Sequence, residues 1–162
     1  MHPADRIRLL PLALFIVLGL GCDTADPDVR DVDVCVRLGD NPDGTMTAQV
    51  DGDRFEANCF EVFTLSGNLY ITARDYVETD LGIDVRGEIQ LIVDDSEIGP
   101  TTIGPSSGLS KARYVTRSGS EIEATSGTIT LDQFSPTRTS GSFEFQTGNG
   151  TVVRDGTFDI QL

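Results

Sequence analysis

From residue 43 onward apolar and polar positions alternate in short runs, and one six-residue pattern recurs. DGTMTA (43–48), SGNLYI (66–71), RGEIQL (86–91), SGTITL (126–131), SGSFEF (140–145) and DGTFDI (155–160) each read polar, Gly, polar, apolar, polar or aromatic, apolar. A period of two sends successive side chains to opposite faces, so each run predicts a half-buried strand. The glycines are unevenly spaced, which excludes a fixed-period solenoid. One device is used six times, with Gly serving a bulge or a positive φ where a turn enters a strand. The inward residues are then Met46, Ala48, Leu69, Ile71, Ile89, Leu91, Ile129, Leu131, Phe143, Phe145, Phe158 and Ile160. CFEVFTL (59–65), ARYVTR (112–117) and TVV (151–153) are further strand-like runs. DVDVCVRL (31–38) alternates strictly and reads as a strand with Val32, Val34, Val36 and Leu38 inward and Cys35 on the polar side. DNPDG, IGPTTIGPSSG and TGNG read as turn-rich connections. Sustained spacing of three and four is absent beyond the N-terminal run, so almost no helix is expected. About nine to ten short strands predict an all-β fold, an antiparallel sandwich or a flattened barrel. Its last strand runs to the end of the chain, which ties the C-terminus into a sheet.

The N-terminal pattern differs. Arg6 and Arg8 precede an apolar stretch from Leu9 to Leu18, and Gly19, Leu20 and Gly21 lead to Cys22. A basic start, an apolar core of about ten residues and small residues before a cut predict a secretory signal over residues 1–21. Such a segment is too short to span the roughly 30 Å of a bilayer core as a permanent helix. Residues 22–31 are acidic without apolar periodicity and read as a tether, leaving 32–162 as a single β domain. A cut just before a cysteine resembles the lipobox of bacterial lipoproteins, although Gly19 stands where Leu is usual. That resemblance implies a lipidated Cys22 and a partner in the lipid bilayer. The chain is then lipid-anchored in the cell envelope, at the outer membrane or cell surface, or facing the periplasm. A plain secreted protein with Cys22 free or paired is the alternative.

Charge narrows the partners. The chain holds 12 Lys and Arg against 26 Asp and Glu, a net charge of −14, which repels nucleic-acid phosphates. The acids concentrate before residue 98, either as a cation-steering face or as a solvated surface. With Cys22 lipidated, Cys35 and Cys59 remain, an even pair that suggests a disulfide in an exported chain; two separate buried thiols are the other reading.

MTAQVDGDRFEA (46–57), IGPTTIG (98–104), SGTITLDQF (126–134), SGSFEF (140–145) and DGTFDIQL (155–162) together resemble a family of small bacterial, Bacteroidetes-type, β-rich lipoproteins classed as a domain of unknown function. The resemblance covers about residues 44–162. Phe55 stands where that family usually has Trp, and Pro100-Thr101 replaces its Thr-Tyr. It implies an all-β lipoprotein and carries over no catalytic residue.

Candidate chemistry is sparse. His2 is the only histidine and lies in the predicted signal, so a Ser-His-Asp or Cys-His mechanism is excluded from the domain and a zinc site disfavoured. Asp94, Asp95 and Glu97 cluster at a strand end and are candidate calcium ligands; Asp40, Asp43, Asp51 and Asp53 flank the first hairpin. GDNPDGT (39–45) fails the EF-hand order, because Pro42 and Gly44 fall at ligand positions. No cofactor is expected. The sequence therefore predicts a non-catalytic binding or envelope structural module, with a carboxylate-dependent extracytoplasmic hydrolase as the alternative.

Overall fold

The computed structural model describes residues 34–41, 43–80, 82–94, 98–104 and 110–162. The predicted signal, Cys22 and the tether lie outside the described residues. Ten antiparallel strands follow one another: β1 (Gly44–Val50), β2 (Asp53–Ala57), β3 (Cys59–Leu65), β4 (Asn68–Thr79), β5 (Gly82–Asp94), β6 (Gly99–Ile103), β7 (Lys111–Thr116), β8 (Glu121–Ser135), β9 (Arg138–Thr147) and β10 (Val152–Gln161). They hydrogen-bond in the order β2-β1-β10-β9-β8-β7-β5-β4-β3, and β6 pairs with β8 beyond the end of β7. The outermost strands β2 and β3 are consecutive and share a corner at Asn58, so the sheet curls into a nearly closed barrel. Of the two expected architectures the barrel is the one observed.

Period-two alternation sets the core. All twelve residues expected to face inward are buried, and Met46, Leu69, Ile89, Ile129, Leu131 and Ile160 are fully so. Phe143, Phe145 and Phe158 from β9 and β10 form the aromatic part of the same cluster. At the C-terminus the Leu162 amide donates to the Thr137 carbonyl at 3.0 Å, fastening the last residue to the sheet.

The recurring glycine proves to be more than one device. Gly67 has φ 77° and follows Ser66 at φ 55°, giving the two-residue turn between β3 and β4. Gly141 and Gly156 instead lie within strands, where rings pack flat on the backbone. A Cβ on Gly156 would stand 2.5 Å from the Phe143 ring, and one on Gly141 would strike the Thr130 carbonyl and come within 2.7 Å of the Phe158 ring. These two positions are therefore glycines because side chains cross over them.

Two other expectations are corrected. Residues 34–38 are helical, not a strand. Val34 and its neighbour Cys35 are both buried while Val36 and Leu38 are exposed, the opposite of alternation. Alternating valines express a strand preference, and the anchoring of Cys35 overrides it. Residues 99–103 form β6 where a turn-rich connection was expected, with Pro100 tolerated because β6 pairs on one side only.

Candidate functional site

The chemistry of the described residues gathers where β2 turns into β3. Asn58, the corner residue, continues the pairing with β4 through its side chain. Its amide N–H donates to the Arg74 carbonyl at 3.0 Å, its Nδ2 donates to the Tyr76 carbonyl at 3.0 Å, and its Oδ1 accepts from the Tyr76 amide at 2.9 Å. The side-chain amide thus does the work of one more strand residue beside the register shift at Asp75 and Tyr76.

Residues 34–41 fasten this corner to the rest of the barrel. Cys35 and Cys59 form a disulfide with Cα atoms 5.3 Å apart, as one of the two cysteine readings anticipated. Asn41 and Phe60 exchange two backbone hydrogen bonds, at 2.6 and 2.8 Å, and Asn41 Nδ2 reaches the Gln161 carbonyl on β10 at 2.7 Å. The barrel seam is closed here by a segment that precedes the first strand.

Beside this clasp stands a four-residue ionic cluster that the sequence reading missed. Arg74 on β4 donates from Nε to Glu88 at 2.8 Å, from Nη1 to Asp40 at 2.8 Å and from Nη2 to Glu61 at 3.1 Å. Side-chain exposure is 19% for Arg74, 7% for Asp40 and 14% for Glu88, but 49% for Glu61, so the first three share a site of low polarisability. Burial alone would lower the Arg74 pKa; the hydrogen bonds it donates to Glu88, Glu61 and Asp40 outweigh it, and the value is raised. Gln90 also donates to Glu88. One Asp40 oxygen, Oδ2, is buried without a hydrogen-bond partner among the described residues. The Tyr76 phenol has its pKa raised, first by burial and further by the Asp40 and Glu88 charges, against the opposing effect of Arg74. Only one of the three contacts is local in the chain: Arg74 and Glu88 stand directly opposite each other in the β4–β5 hairpin.

Next to the cluster the outer face of β3, β4 and β5 turns apolar. Phe63 and Tyr70 stack across the strands with ring centroids 4.8 Å apart and planes at 5°. A shallow depression of about 300 Å³ lies over them, lined by Glu61, Phe63, Tyr70, Arg74, Gln90 and Arg113 among others. Rings, an aliphatic floor and two guanidinium groups make it a contact surface for a partner with both apolar and polar parts. Compared with protein-family models, with curated proteins and with solved structures, the chain matches none of them. What the site can do is therefore argued from its geometry.

Of the sequence-predicted residues, Cys35, Cys59 and Asp40 meet at this corner. Asp94 ends β5, while Asp95 and Glu97 lie outside the described residues. Among the described residues no three His, Cys, Asp or Glu side chains are grouped so as to hold a metal ion. Asp40 is drawn to Arg74. Asp43 takes a local bond instead, its amide donating to Asn41 Oδ1 at 2.8 Å. Asp51, at φ 53°, begins the β1–β2 turn, and its carboxylate accepts from the Val152 amide at 2.8 Å. Tyr114 has its phenol pKa raised by burial and by the charges of Asp51, Asp75 and Asp53.

Proposed function

We propose that the chain is a lipid-anchored lipoprotein of the cell envelope whose β barrel is a non-catalytic binding module, with the outer face of β3, β4 and β5 as its contact surface. The observation that carries this is the contrast between the two halves of that face. Its charged half is closed on itself, the carboxylates of Asp40, Glu61 and Glu88 all accepting from Arg74. A carboxylate hydrolase needs one carboxyl free to give a proton and another free to attack or to activate water. Oxygens already turned to a guanidinium serve neither purpose well. Its apolar half faces water, with Phe63 44% exposed and Leu65 58% exposed, and open apolar surface of that kind is where partners bind.

The disulfide supports an exported setting, since such bonds persist in oxidising compartments. The anchor rests on the sequence around Cys22, and kinship with the small Bacteroidetes-type lipoproteins rests on the strand motifs; both belong to this proposal. Fractionation of cells producing the Cys22→Ser form tests the anchor: the protein leaves the membrane pellet for the soluble fraction. Retention in the pellet to the same extent as the parent overturns it.

A further inference from the structure

We infer that two copies of this chain pair antiparallel through the free edge of β3, centred on Phe63. The inference does not depend on the anchor; it rests on the contact surface proposed above and names a second copy as what binds along its β3 edge.

A curled sheet with unjoined ends leaves edges, and edges bearing free N–H and C=O groups recruit further strands unless blunted. Among the described residues β2, β3 and β6 are each hydrogen-bonded to a strand on one side only, and two of the three are blunted. β2 carries Arg54 and Glu56, paired at 2.9 Å and 73% and 63% exposed, so charges line it. β6 carries Pro100, which has no N–H to offer. β3 has neither device. Its single charge, Glu61, is already held by Arg74, and its exposed side chains include Phe63 and Leu65.

Hydrogen bonding shows which groups are open. Phe60 turns its N–H and C=O away from β4 toward Asn41. Backbone groups alternate along a strand, so Val62 and Thr64 point the same way as Phe60. Neither has a partner on that side among the described residues. Four backbone groups are thus presented in a row, beyond the point where the clasp stops.

A second copy fits this row by symmetry. With Phe63 on a two-fold axis, Val62 of each copy lies opposite Thr64 of the other. In that register all four groups of each copy are paired. Phe63 then faces its own counterpart in a non-hydrogen-bonded pair, where side chains approach most closely. Since each Phe63 already stacks on Tyr70, four rings form one row across the join. Leu65 meets Glu61 of the other copy, whose carboxylate Arg74 neutralises. Charge argues for this edge over other surfaces: a chain of net charge −14 repels its copy, and least where its one acid is offset. A strip this short falls below the roughly 1,200 Å² at which stable interfaces begin, so the pair is weak and concentration-dependent.

Sedimentation of the full chain over a concentration series tests this at low and high salt. Its mass rises reversibly from monomer to dimer, and added salt strengthens the association by screening the net charge. Thr64→Pro, which removes one edge N–H, and Phe63→Lys each weaken it by at least about tenfold, while Glu56→Lys on β2 does not. Register is read by cross-linking: Phe63→Cys forms a covalent dimer under a mild oxidant, and Leu65→Cys in the same background does so at least about tenfold more slowly. Thermal unfolding confirms that each variant is folded. A chain that stays monomeric throughout, a dimer indifferent to Thr64→Pro and Phe63→Lys, or equal cross-linking at both positions overturns the inference. So does a chain that stays monomeric yet binds an added extended apolar peptide at this edge.

Discussion

Replacing Arg74 by Met keeps most of the aliphatic length and removes the cation on which three carboxylates converge. Asp40 and Glu88, at 7% and 14% exposure, are then left without their countercharge in a site that water reaches poorly. Breaking a buried ion pair from one side costs about 3–5 kcal/mol. Glu61 is half exposed, and its share is under about 1 kcal/mol. Gln90 still donates to Glu88, and the site is only partly buried, which places the expected loss near 3 kcal/mol, the lower end of that range. Urea unfolding of parent and variant near neutrality measures the loss. Adding Asp40→Asn to Arg74→Met restores part of the loss, because one stranded charge is removed with its partner. A variant within about 0.5 kcal/mol of the parent near neutrality refutes the cluster as a stabilising unit.

Three further outcomes follow from the same geometry. The Cys35→Ser/Cys59→Ser form loses about 3 kcal/mol by urea unfolding, the value for a loop of this length, and the parent is two protons lighter by intact mass than its reduced form. Gly141→Ala loses about 2 kcal/mol or more, since the added methyl meets the Thr130 carbonyl and the Phe158 ring; an unchanged melting temperature would falsify the close packing assigned there. Tyr76 and Tyr114 both have phenol pKa values raised above 10.0, so the fold holds those protons more tightly than the unfolded chain does. Their contribution is fully present below the unfolded value and is lost as pH rises through the raised ones; Tyr114→Phe flattens the alkaline limb of the stability curve, and an identical limb would count against it.

Much of the barrel was legible because a strand's inward face is a local, period-two property. Met46 and Ala48, Ile129 and Leu131, and Phe143 and Phe145 all followed from alternation alone, and all are buried. Local reasoning failed where distant segments meet. The valines before residue 38 alternate as a strand would, yet Cys35 is tied to Cys59 and the described part of that run is helical. IGPTTIG looked like a turn because of its Gly and Pro, yet one-sided pairing with β8 accommodates both. Arg74 was invisible as a site residue, because Asp40, Glu61 and Glu88 reach it from three separate segments. Only its pairing with Glu88 is a hairpin property.

Closing a barrel whose end strands are consecutive raises a problem of geometry, and the solution also determines which surface is left over. β2 and β3 diverge from Asn58, so they cannot pair with each other along their length. The gap is bridged from outside the strand order, by Asn41 against Phe60, by the disulfide and by Asp40 against Arg74. All three attachments fall at the start of β3, and none reaches its second half. The strand is thereby held at one end and presented at the other, with Val62 and Thr64 open on its edge and Phe63 stacked on its face. Order at the presented end depends on the fastened end, because a strand free at its start would lose its ladder with β4 more readily. Reducing the disulfide should therefore weaken the proposed pairing of copies as well as the fold. Arg74→Met should do the same, and Gly141→Ala, across the barrel on β9, should not. If dimerisation survived loss of the clasp while stability fell, the edge would be ordered by β4 alone, and the link drawn here between closing the seam and presenting the edge would be wrong.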